Sequence, residues 1–175
     1  MSAADETEAT LDAFLRAVQR RALTAARLSV PHEDALDCVQ SAMFSFVRKY
    51  HGKPQEQWRP LFFRVLYNTL RDWHRRRAVR NAFAGVSTPE EPLEANSPQP
   101  DRWLAGGEAG ARLLEELRRM PLRQQQAFIL RHWEGLDTVA TARAMGVSAG
   151  TVKTHLSRAV ERLRAALETH YEPSA

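Results

Sequence analysis

The stretch "AGVSTPEEPLEANSPQPD", residues 84 to 101, most limits what this chain can become. It holds Pro89, Pro92, Pro98 and Pro100, and between Asn81 and Asp101 there is no Lys or Arg, while Glu90, Glu91, Glu94 and Asp101 are acidic. Each proline removes a backbone donor and pushes the residue before it away from helical angles. Prolines this close together, among repelling carboxylates, predict an extended and solvated linker. A chain of 175 residues interrupted there divides into two small domains, each long enough to bury a core. The expected partition is a first domain over 1–84, an acidic Pro-rich linker over 85–108 and a second domain over 109–175. Neither half shows an internal repeat or the period-two alternation of a half-buried strand, so the expected fold class is all-α.

Other features exclude whole classes of function. No apolar run approaches the roughly 20 residues of a membrane span, so no membrane insertion is expected. The opening "MSAADETEATLD" is acidic and polar, unlike a signal or transit peptide. Cys38 is the only cysteine. That excludes a disulfide framework and points to the reducing cytoplasm. The six histidines, at 32, 51, 74, 132, 155 and 170, share no metal-ligand spacing with each other or with Cys38. No metal, cofactor, small-molecule substrate or catalytic residue is expected.

The second half reads as a helix-turn-helix. A helix over "ARLLEELRRM" stops at Pro121, and "LRQQQAFILRHWEG" offers Leu122, Ala127, Leu130 and Trp133 to a core before Gly135. Asp137 suits the N-cap of a third helix, whose apolar residues are Val139, Ala142 and Met145, and Gly146 suits its left-handed C-cap. Ser148 then caps the next helix almost at once, and a short helix, a glycine turn and a longer helix make the DNA-binding arrangement. In that last helix Val152, Leu156, Ala159, Val160, Leu163 and Leu167 form one apolar stripe. At about 100° per residue, Thr151, Thr154, Arg158 and Glu161 point away from it, with Lys153, His155 and Arg162 on its flanks. Hydroxyls and cations there suit base edges and phosphates.

The first half carries two further patterns. In "PHEDALDCVQSAMFSFVRKY", Leu36, Val39, Met43, Phe46 and Val47 make an apolar side, leaving Asp34, Asp37, Gln40 and Ser41 as an acidic, polar strip. "WRPLFFRVLYNTLRDWHRRRAVR" mixes Trp58, Phe62, Phe63, Tyr67 and Trp73 with Arg64, Arg71, Arg75, Arg76, Arg77 and Arg80. Interleaved rings and cations suit either a core helix with a solvated face or a surface for single-stranded nucleic acid. Asn68 and Asp72, one turn apart, are placed to hydrogen-bond a base edge or a neighbouring helix.

Taken together, "EDALDCVQSAMF", "FFRVLYNTLRDWHRRRAVR" and "LRRMPLRQQQAFILRHWEGLDTVATARAMGVSAGTVKTHLSRAVERLR" resemble, in order, regions 2 and 4 of the extracytoplasmic-function (ECF) sigma factors of bacterial RNA polymerase. The resemblance implies a protein that binds core polymerase and directs promoter recognition and melting, in a stress or envelope response. It puts Asp34, Asp37, Gln40 and Ser41 on the clamp helices of the largest polymerase subunit, and makes the flap a second contact. It puts Asn68, Arg71, Asp72, Arg75, Arg76 and Arg77 at the −10 element. Arg131, Thr151, Lys153, Thr154, His155, Arg158 and Arg162 fall at the −35 element. The linker would thread the polymerase's RNA channel, and an anti-sigma factor is an expected partner. The chain departs from the family pattern at Ser41, at Leu61-Phe62 and at Val139-Ala140-Thr141, where an acidic residue, Trp-Leu and a Glu-Glu-Ile run are usual. A stand-alone helix-turn-helix regulator of the response-regulator type would use the same second half.

Overall fold

The computed structural model describes residues 3–83 and 107–168, and every regular element among them is helical. The first half consists of α1 (Ala3–Arg27), α2 (His32–Tyr50) and α3 (Gln55–Phe83). The second consists of α4 (Gly107–Arg119), α5 (Leu122–Phe128), a π-helical turn over Ile129–Trp133, α6 (Thr138–Met145) and α7 (Ala149–Glu168). The acidic run assigned to a linker lies outside the described residues, and α4 begins at Gly107, two residues inside the expected boundary at 108.

Aromatic rings anchor the core of the first half. Phe46 of α2 meets Phe62 of α3 edge-on with centroids 5.7 Å apart, and Phe14 of α1 lies 5.6 Å from Phe46. Trp58 is buried and its indole N–H donates to the Lys53 carbonyl at 2.7 Å, so the loop between α2 and α3 is pinned to the helix that follows it. Each such ring buries a large apolar area, so together they contribute strongly to the burial free energy of this half. In the second half Leu117, Ile129, Leu130, Val152, Ala159 and Leu163 are buried between α4, α5 and α7.

Three residues expected in the core are not there. Val139 is 57% exposed, and α6 buries Thr141, Ala144 and Met145 instead. The Asp137 cap and the Gly146 turn fix both ends of this short helix, and Val139 then sits about 200° around the helix from Thr141. Leu36 is exposed because α2 presents Ala35, Cys38, Val39, Ala42 and Phe46 inward, and Leu36 lies on another side of the helix from that row. Leu167, at the end of the α7 stripe, is also exposed; with Leu113, Phe128 and Leu163 it lines a shallow groove of about 520 Å³.

The buried apolar residues of both halves form one cluster, in which α3 packs on α6 and α1 approaches the π turn.

Candidate nucleic-acid interface

The turn ahead of α7 is built as its residues require. Asp137 Oδ1 accepts from the Ala140 amide at 2.7 Å, and Gly146 ends α6 at φ 65°, ψ 39°, a left-handed conformation that a side chain strains. Ser148 Oγ accepts from the Thr151 amide at 3.1 Å, satisfying an amide that the helix leaves free. The chain therefore reverses within three residues and α7 starts at once. Val152, Ala159 and Leu163 hold its inner side in the core.

On the outer side Lys153, Thr154 and Arg158 are exposed, and neither cation has an ion-pair partner among the described residues. The other expected −35 residues are more committed. Thr151 is half-buried and shares a hydroxyl contact of 2.9 Å with Ser148. Arg162 Nε lies 3.4 Å from Glu116 Oε2 of α4, and Arg131 donates to the Leu136 carbonyl, where it braces the turn at Gly135. His155 is half-buried, and its Nδ1 is buried without a hydrogen-bond partner. Burial, then the positive charges of Arg123 and Arg158, push its pKa below the usual histidine value, which favours the neutral ring.

The expected −10 residues lie along the solvent side of α3. Asn68 is exposed and its Oδ1 accepts from Arg71 Nη2 at 2.9 Å. Asp72 pairs with Arg75 at 3.4 Å while its carbonyl accepts from Arg76 Nε at 3.3 Å. Arg77 lies over the Trp73 ring at 5.2 Å. These contacts hold the cations at defined places along one helix while leaving Arg75, Arg76 and Arg77 open to solvent. Most of the aromatic residues interleaved with them serve the core: Trp58, Phe62, Phe63 and Tyr67 are buried, and Trp73 is half-buried.

On α2, Asp37, Gln40 and Ser41 are exposed and Asp34 is half-buried. Beside them stand two large apolar residues, Leu36 and the 69% exposed Phe44. Phe44 was not singled out from the sequence, although Leu36, Gln40 and Phe44 recur at a spacing of four on one helix face. Exposed apolar groups rimmed by carboxylates and amides are the composition a protein partner could cover. A groove of about 760 Å³ runs from this strip to the basic end of α3, lined by Asp34, Asp37, Cys38, Trp73 and Arg76 among others. Burial, reinforced by Asp34, pushes the Cys38 thiol above its ordinary pKa, which disfavours the thiolate.

Residues 110–163 match the family model "Sigma-70, region 4". An RNA polymerase sigma-E factor of Streptomyces avermitilis is 33% identical over 159 residues, 89% of this chain and 84% of the relative. The ECF RNA polymerase sigma factor SigM of Mycobacterium tuberculosis is 32% identical over 87% of this chain and 74% of its own length. The chain belongs to the ECF sigma factors.

A stand-alone regulator of the response-regulator type is not favoured, because the likeness to sigma factors runs through the first half as well as the helix-turn-helix. The fold of this sigma factor is also that of RpoE from Bartonella quintana, solved in complex with the anti-sigma factor NepR, with a TM-score of 0.72, 24% identity and coverage of 94% of this chain and 98% of that one. CnrH, solved with the cytosolic domain of CnrY, matches with a TM-score of 0.57 at 20% identity over 93% of this chain and 88% of that one. Among the described residues no helix is long and apolar enough to cross a membrane.

Proposed function

We propose that this sigma factor divides its work between the two halves as follows. Its first domain, 1–84, docks on core RNA polymerase through Asp34, Asp37, Gln40 and Ser41, with Leu36 and Phe44 supplying the apolar contact beside them. The same domain captures the opened −10 element along α3, with Asn68 and Asp72 toward the bases and Arg71, Arg75, Arg76 and Arg77 toward the phosphates. Its second domain, 109–175, lays α7 in the major groove of the −35 duplex. Lys153, Thr154 and Arg158 reach the DNA directly there. Thr151, His155, Arg162 and Arg131 shape or border that contact. The protein works in the cytoplasm, catalyses no reaction, and is held in check by an anti-sigma factor.

One observation carries this reading: the outer side of α7 exposes Lys153, Thr154 and Arg158 directly after a two-cap turn whose helices are anchored in the core. A solvated surface helix needs no such rigid entry, whereas base readout depends on a fixed approach. Gel filtration of the protein with and without core polymerase, followed by run-off transcription from a matched promoter, tests the assignment. Co-elution and promoter-dependent transcripts are expected; absence of both would overturn it.

A further inference from the structure

The two ring nitrogens of His155 stand in opposite settings. The ring lies half-buried on the flank of α7, next in sequence to the exposed Thr154. Nδ1 is buried and has no hydrogen-bond partner among the described residues, whereas Nε2 is neither bonded nor buried. One edge of the imidazole is therefore sealed into the protein, and the other is open to solvent beside Lys153 and Thr154.

A neutral imidazole carries one N–H, and its surroundings decide which nitrogen holds it. Both charges that act on this ring are positive: Arg123 of α5 and Arg158, one turn further along α7. Arg123 is fixed in place, since its Nη1 donates to the Met145 carbonyl at 2.8 Å and to Gln126 Oε1 at 3.3 Å. A proton on Nδ1 would be a buried donor without an acceptor, and such donors are rare and costly. The flanking cations also oppose a second proton on the ring. The proton therefore belongs on Nε2, and His155 offers its surroundings one N–H donor and no acceptor.

Base edges sort sharply against such a group. In the major groove guanine shows two acceptors, O6 and N7, while cytosine shows only the donor of its amino group. Thymine shows one acceptor, and adenine shows one acceptor beside a donor. A ring that can only donate pairs best with guanine and meets cytosine donor against donor.

We propose that His155 does more than border the −35 contact: its Nε2–H donates to the acceptor edge of a guanine and makes cytosine the least favoured base at that position. The inference rests on the reading of α7 as the −35 helix, and it adds the chemistry by which one base is chosen.

Binding of holoenzyme to promoter fragments that carry each of the four base pairs at each −35 position tests the proposal. Wild type is expected to favour guanine over cytosine by at least about fivefold at one position, the low end of what a specific base contact gives. His155→Ala should abolish that preference there and leave the other positions as they were. A ring that only packed against its neighbours would, on removal, weaken all sequences alike. Asparagine places its amide where Nδ1 stands, and glutamine places it where Nε2 stands. His155→Asn should therefore lose the preference, whereas His155→Gln should keep a purine preference moved toward adenine, whose N6 and N7 an amide pairs bidentately. Should His155→Ala lose helical circular dichroism, the contrast between the Asn and Gln variants carries the same test. Long-range nitrogen–proton correlation NMR of the full chain, without polymerase or DNA, reads the tautomer directly, and the proton is expected on Nε2. A proton on Nδ1, or base preferences that survive both His155→Ala and His155→Asn at every position, would overturn the proposal while leaving α7 at the −35 element. A wild-type holoenzyme indifferent to every −35 position would overturn the reading of α7 together with it.

Discussion

Arg162 of α7 lies 3.4 Å from Glu116 of α4, whereas Arg158, one turn earlier, has no carboxylate partner among the described residues. The two arginines share a helix and a charge, yet the first is tied to α4 and the second is available to a partner. This difference makes Arg158 the more telling position to test. Arg158→Ala is expected to weaken −35 promoter binding by roughly 1 to 3 kcal/mol, and a phosphate contact would also flatten the salt dependence by about one unit. Glu161→Ala, which removes an anion exposed on α7 and bonded to Ser157 at 3.1 Å, should leave affinity equal or higher. Binding of holoenzyme to a promoter fragment across a salt series checks both. A wild-type Arg158→Ala beside a weakened Glu161→Ala would mean that this face does not meet DNA.

Asp37→Arg should abolish docking on core polymerase without unfolding the chain, since Asp37 is exposed on α2 and supports no core contact. Reversing a charge on a docking surface is expected to weaken association at least about tenfold. Phe44→Ser should weaken it too, by removing the exposed ring beside the strip. A pull-down of core polymerase, with circular dichroism as the folding control, distinguishes lost docking from lost structure.

Asn68→Ala is expected to leave core binding and −35 duplex binding unchanged while slowing promoter opening. Its side chain is exposed and touches Arg71 rather than the core, so the fold has little stake in it. An extruded base must recover a few kcal/mol of lost stacking, and an amide at its edge is one means of doing so. Permanganate reactivity of −10 thymines reads the melting directly; normal reactivity would remove Asn68 from that role.

Gly146→Ala should destabilise the second half by roughly 1 to 2 kcal/mol, because a side chain is strained at φ 65° although nothing lies close enough to clash with a new Cβ. Asp137→Ala should cost about 1 kcal/mol through loss of the cap on the Ala140 amide. Urea denaturation of the full chain measures both.

His155 should titrate below the ordinary histidine value of about 6.5, in the direction set by burial and then by Arg123 and Arg158. A histidine whose folded pKa is depressed binds its proton more readily when unfolded. The stability it contributes is therefore complete above the unfolded pKa and declines as pH falls from there toward the folded value. NMR titration of the His155 ring checks the shift, and Arg158→Ala should raise the midpoint. A midpoint at or above 6.5 in the wild type would contradict the buried, cation-flanked setting.

Much of this protein was determined by local sequence. The capped turn from Asp137 through Gly146 to Ser148 depends on residues within a few positions of one another, so its chemistry is visible in one short stretch. The α7 stripe was legible for the same reason, because helical period alone separates Val152, Ala159 and Leu163 from Lys153, Thr154 and Arg158. Tertiary structure decided what periodicity leaves open. Leu36, Val139 and Leu167 are apolar at helical spacing, yet each is exposed, because burial depends on which neighbour lies opposite. Arg162 reads as a cation facing solvent until Glu116, far away in sequence, is found beside it. The same holds for Gln125 and Glu134. Nothing local distinguishes them from ordinary surface residues, and the meeting of the two halves gives them partners far away in sequence: Ser29 and Leu28 for Gln125, Arg21 and Arg59 for Glu134.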